Sequence, residues 1–169
     1  TLHGDNNVFQ GTSQPADTGS ISAYDTATVQ GTYYVRTWDG TNDLLYVETD
    51  GPTGIIESEE FVLGEQARFD FLIGGGNHPF TGDPDTPDAN ITALTLERKV
   101  AENDWEAIFS TTGPNANALA PASWTANQHA GETVRLRIYD THSGGWGHVD
   151  VDDIRYSAAG GTGSDTIEI

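Results

Sequence analysis

Residues 134–156 read VRLRIYDTHSGGWGHVDVDDIRY, and their spacing decides the fold class. Val134, Leu136 and Ile138 alternate with Arg135 and Arg137. A period of two puts successive side chains on opposite faces of a strand. Val149 and Val151 keep that period, but Ile154 and Tyr156 stand in the other phase. A β-bulge at Asp152 and Asp153 absorbs the slip, keeps both strand halves on the core and turns a carboxylate aside. Between the two runs, HSGGWGH (residues 142–148) reads as the turn of a β-hairpin.

The same alternation recurs outward from this stretch. Phe69, Phe71 and Ile73 form one run, Leu94 and Leu96 another, Tyr33 and Val35 a third, and Leu45 and Val47 a fourth. Residues 55–63 read as one or two short strands, and residues 105–110 as a strand entered from a turn at 102–104. No window keeps a 3.6-residue apolar period, which argues against helices. Many short strands separated by turn signals mean an all-β fold, an antiparallel β-sandwich of jelly-roll-like form. The expected organisation is an N-terminal arm or edge strand over residues 1–30, with a strand near residues 20–24; a sandwich over 31–157; and a Gly-rich tail over 158–169 with a short strand-like end. Residues 111–124 (TTGPNANALAPASW) read as a plain link between strands. The long loop GGGNHPFTGDPDTPDAN (residues 74–90) exceeds the usual loop length, and such loops are often functional. Its DPDTPD run, residues 83–88, lacks the register of a calcium loop and reads as stiff and solvated.

The chain of 169 residues carries 26 Asp and Glu against 7 Lys and Arg, a formal net charge of −19. Nucleic acid is excluded as a partner, because phosphate contacts need cations. No stretch reaches the roughly 20 apolar residues of a membrane span, so no membrane insertion is expected. There is no Cys, hence no disulfide and no thiol nucleophile. There is also no Met, so the numbered chain is expected to be processed or excised. Lys99 is the sole lysine. Such a balance resembles the proteins of halophilic archaea, where about 1 M salt shortens the screening length to about 3 Å and relieves carboxylate repulsion.

The chemistry-bearing residues gather at the turn. Trp146 between Gly145 and Gly147 can present a ring to a sugar face, or fold back as a cap on the sandwich. His148 and His142 can bond sugar hydroxyls or stand as exposed turn residues. Two imidazoles without a third soft ligand do not make a zinc site. Asp150, Asp152 and Asp153 can ligate a structural calcium ion, which takes six to eight oxygens, or remain solvated charge. Asn77 and His78 follow three glycines that allow close backbone approach. No G-x-S-x-G elbow is present, and the glycines at 74–76 end a strand without opening a helix. A non-catalytic role is therefore expected.

FDFLIGGGNHP, ITALTLER, WEAIFSTTG, GIIESEEFVL and VRLRIYDTHSGGWGHVDVDDIRY lie in the chain at sensible spacing. Together they resemble the family 66 carbohydrate-binding modules of levanase-type, fructan-degrading enzymes, over roughly residues 31–157. The resemblance implies a jelly-roll-like sandwich that binds the terminal fructose of a carbohydrate polymer without cleaving it. Carried over by position, the contact residues are Asn77, His78, Arg98, Asp140, Gly145, Trp146 and His148. The partner is a carbohydrate polymer or surface glycan, and the expected location is extracellular or at the cell surface. The sequon at Asn90 (NIT) fits glycosylation there. The competing reading is a structural subunit of a filament, surface layer or adhesin, self-assembled through its terminal segments by strand addition.

Overall fold

In the computed structural model, residues 53–159 are described in full, and the strands at 2–4, 7–10, 33–36 and 165–166 by their backbone. The expected strands near residues 20–24 and 45–47 lie outside the described residues.

Alternating sequence has become two antiparallel sheets packed face to face. The first contains β1 (Leu2–Gly4), β4 (Gly54–Glu57), β12 (Thr133–Asp140), β9 (Thr92–Ala101) and β10 (Asp104–Thr112), in that order, with β5 (Phe61–Val62) also paired to β12. The second runs β11 (Ala116–Thr125), β6 (Arg68–Gly75), β13 (Val149–Ser157), β3 (Tyr33–Arg36) and β2 (Asn7–Gln10), with β14 (Asp165–Thr166) on β13. A small hairpin, β7 (Gly82–Asp83) and β8 (Thr86–Pro87), interrupts the long loop. From β10 onward the chain changes sheet at every connection, to β11, back to β12 and over to β13. This is an all-β, jelly-roll-like sandwich. Among the described residues, the sole helical piece is a 3-10 turn at Asn127–His129.

The apolar phase of each strand meets its counterpart across the interior. Ile56, Leu94, Leu96, Val134, Leu136 and Ile138 come from the first sheet, and Phe69, Phe71, Ile73, Val149, Val151 and Ile154 from the second. Trp124 fills the flank, 4.6 Å between ring centroids from Phe71, and its indole N–H donates to Thr111 Oγ1 at 2.9 Å. Burying one such side chain removes its apolar surface from water for about 1.5–3 kcal/mol.

The expected bulge is present. Pairing of β13 with β6 shifts between Asp152 and Arg155, and Asp153 takes φ 51°. Val149, Val151 and Ile154 all face the core as a result.

Three expectations need correction. The HSGGWGH turn does not join a hairpin, because β12 and β13 belong to different sheets and residues 141–148 arch across the end of the sandwich. Alternation names the face a residue takes, not its strand's neighbour. The supposed link over 111–124 is mostly taken up by the ten-residue strand β11, which runs on to Thr125. Its alanines and Pro121 are poor strand formers. Pro121 is exposed, and β11 ends the strand order of its sheet, where proline is tolerated. Third, the DPDTPD run is not a wholly solvated loop. Pro84 is buried, and its carbonyl accepts from Arg137 Nη1 at 2.8 Å.

Candidate functional site

The candidate site forms where the arch meets the end of β6. Gly75 has φ +88°, a conformation that side chains rarely adopt. A Cβ on Gly76 would sit 1.9 Å from the Trp146 carbonyl oxygen, so only glycine lets the arch lie on this backbone. The Gly76 N–H donates to the His148 carbonyl at 2.8 Å. Thr112 Oγ1 lies 2.8 Å from the Gly76 carbonyl and 2.7 Å from that of Thr92, bracing the two strand ends. The Asn77 N–H donates to Asn115 Oδ1 at 2.7 Å.

Imidazoles and an indole stand on this base. His78 is half-buried, and its carbonyl accepts the Thr92 N–H at 2.9 Å. Its ring lies 3.9 Å from that of His142, centroid to centroid. The His142 ring is fixed in turn, since Nδ1 donates to Asn90 Oδ1 at 2.9 Å. Trp146 has φ 61° and is 40% exposed, with its ring stacked on His148 at 5.8 Å and 29°. It is not folded away as a cap. The left-handed conformation strains the backbone, and the exposed part of the ring forgoes the stabilisation that burial would give. His148 beneath it is 6% exposed.

The residues carried over by the resemblance separate into groups. Asn77, His78, Gly145, Trp146 and His148 belong to this end of the sandwich, with Asn77, Gly145 and Trp146 exposed. Asp140 also lies there, opposite Thr92 in the strand register, but it is fully buried. It can position the site and cannot reach a ligand without rearrangement. Arg98 is not brought together with the others. It stands about 20 Å along β9 from Thr92, at roughly 3.3 Å per residue. There Glu106 accepts from its Nε at 2.9 Å, and Glu132 from Nη1 at 3.2 Å.

The three aspartates read as calcium ligands take two positions. Asp150 and Asp152 are buried, in the phase opposite to the core valines. The bulge turns Asp153 aside, where Arg155 pairs with its carboxylate at 2.8 Å. Asp152 Oδ1 accepts the Asp153 N–H at 2.8 Å. Among the described residues, no group of three or more His, Cys, Asp or Glu side chains is placed to hold a metal ion. Asn90 is exposed with φ 70°, so the sequon stands at the surface beside His142.

Sequence reading missed Thr92, Thr112 and Asn115 as parts of the site, and took Asn90 for a sequon alone. Single polar residues of this kind carry no spacing signal. They are assembled by strand pairing.

No protein-family model matches the chain. A putative glycosyl hydrolase, ecdE of Aspergillus rugulosus, is 31% identical over 112 residues, which are 66% of this chain and 14% of that protein. The chain thus spans a small part of that relative's length. Among solved structures, the xylan-binding domain of Paenibacillus barcinonensis Xyn10C is 11% identical, with 92% of this chain and 83% of that one covered and a TM-score of 0.45. A family 61 carbohydrate-binding module in complex with β-1,4-galactotriose is 14% identical, with 93% and 88% covered and a TM-score of 0.42. The K1 cleaved adhesin domain of Lys-gingipain from Porphyromonas gingivalis is 12% identical, with 93% and 100% covered and a TM-score of 0.44.

Proposed function

We propose that this domain is a non-catalytic, extracellular carbohydrate-binding module that holds the terminal fructose of a fructan chain at the arch. The observation that carries this reading is Trp146, an exposed indole held at a strained φ and backed by the His148 ring. A rigid amphipathic ring offers a sugar face apolar contact at small entropic cost, and its N–H offers a polar handle. Beside it, the partly exposed ring of His142, held through Nδ1 by Asn90, offers Nε2 to a hydroxyl. The matched relative supports an accessory role, because the matched part is a minor portion of a putative hydrolase.

The reading is tested by calorimetric titration with levan, inulin and free fructose in about 1 M salt, where exposed charges more than about 3 Å apart are largely screened. Saturable binding of the polymers, competed by free fructose, is the expected result. Binding that fructose does not displace, or no binding of either fructan, overturns terminal fructose recognition.

A further inference from the structure

The arch occupies one flank of the end of β6, and the turn between β10 and β11 occupies the other. Val149 of β13 pairs with Gly75 from one side, and Ala116 of β11 pairs with it from the opposite side. His148 and Asn115 each stand one residue before their strand, so they flank the end of β6 about 10 Å apart, at two strand spacings. That width exceeds a single sugar ring. A unit stacked on Trp146 therefore leaves the Asn115 flank for its neighbour in the chain.

The turn is seated on β6 as closely as the arch is. A Cβ on Gly113 would fall 2.4 Å from the Gly74 carbonyl oxygen. Asn115 takes φ 58°, a left-handed conformation that asparagine adopts more readily than most side chains. Among the described residues, Asn90, Asn115 and Trp146 share such a φ and all border the arch, while Gln66 and Asp153 have it elsewhere. Residues held in sparsely populated conformations gather where ligands are clamped.

The Asn115 carboxamide has one defined orientation. The Asn77 N–H donates to Oδ1 at 2.7 Å, and only the oxygen end of an amide accepts. Nδ2 and its two protons are left over at an exposed residue, with no acceptor among the described residues. Asn77, exposed as well, lies between this amide and the arch. A donor fixed in this way beside an aromatic platform suits a sugar oxygen. We propose that Asn115 is a further ligand contact that sets specificity. Resting on the reading of the arch as a fructan site, it assigns Nδ2 as donor to the sugar unit next to the one on Trp146, so that two units of the chain are read rather than one.

The test follows side-chain resonances of the whole chain in ¹⁵N–¹H spectra, titrated separately with free fructose, inulobiose and levanbiose. The Nδ2 protons of Asn115 are identified by their absence from Asn115→Gly, a change that the positive φ accommodates. At least one disaccharide shifts both the Trp146 indole resonance and these Nδ2 resonances to saturation, whereas fructose shifts the indole alone. In Asn115→Gly, with spectra that report a folded chain, the affinity lost for that disaccharide exceeds the affinity lost for fructose by about fivefold or more, the weight of one hydrogen bond. Equal losses for the two sugars, or no loss for either, mean that Asn115 only braces Asn77, and overturn the proposal. An Nδ2 response as large with fructose as with the disaccharide overturns it too. If the indole moves and Nδ2 does not, the arch reading stands and the second contact falls; if neither moves with any of the three sugars, both fall.

Discussion

Two of the four tryptophans stand on opposite terms. Trp105 is 5% exposed, pinned between a guanidinium and the loop hairpin on the outer face of the first sheet. Trp146 is 40% exposed on a strained backbone, with one imidazole behind it. Around Trp105 the polar groups are spent on one another. Glu97 is fully buried and accepts from Thr95 Oγ1 at 2.9 Å, Arg135 Nε at 2.9 Å and the Tyr139 hydroxyl at 2.6 Å. Glu57 accepts from Arg137 Nε at 2.9 Å. Burial and the nearby Glu97 carboxylate push the Tyr139 phenol well above its ordinary range, so it remains a donor to that carboxylate at any physiological pH. Around Trp146, apolar ring surface is left facing water. The first region fixes the scaffold, and the second gives up stability to present a surface.

The contrast can be broken most severely at Glu97. Glu97→Ala leaves Arg135 and Tyr139 buried without their acceptor, and breaking a buried pair from one side costs about 3–5 kcal/mol. Urea denaturation reads that loss, while fructan affinity of the fraction still folded stays within about twofold. Gly76→Ala comes next. Its methyl group collides with the Trp146 carbonyl, and forced backbone movement costs about 1–3 kcal/mol. Here stability and fructan affinity fall together, because the arch is displaced.

Trp146→Gly separates the two properties. Glycine relieves the positive φ, so thermal unfolding shows stability unchanged or raised by up to about 1 kcal/mol while fructan binding is lost. Arg98→Ala gives the smallest effect. Its ion pairs with Glu106 and Glu132 are partly exposed and screened by solvent, so urea denaturation shows no resolvable loss. Fructan affinity in that variant matches the parent chain within error, since Arg98 lies far from the arch.

The two regions also differ in how far they were legible in the sequence. The strands on either side of the arch were, because Val134, Leu136 and Ile138 alternate without interruption. The bulge was, because Ile154 is out of phase with Val151 and only an extra residue restores it. The glycines before Asn77 and the lone Trp146 marked the site. That the turn is an arch was not legible, because partner choice depends on strands far away in the chain. The buried charge network escaped for a related reason. Arg135, Arg137, Glu57 and Glu97 sit in the polar phase of their strands, which reads as a solvated face. The fold of residues 80–90 over that face, with Pro84 and Phe80 as contacts, and the Trp105 ring against Arg135 cover them. Arg98 shows the reverse error, in which position along a resemblance placed a residue that strand geometry puts elsewhere.

The central claim is that the exposed indole at the arch is kept for a sugar. Its most direct test is the ratio of levan dissociation constants for the parent chain and Trp146→Ala, measured by calorimetry in about 1 M salt, with melting temperatures recorded alongside. The account predicts a loss of about 30-fold or more, the usual weight of an aromatic anchor of ~2 kcal/mol, at an unchanged melting temperature. Equal dissociation constants in two equally stable chains would contradict it.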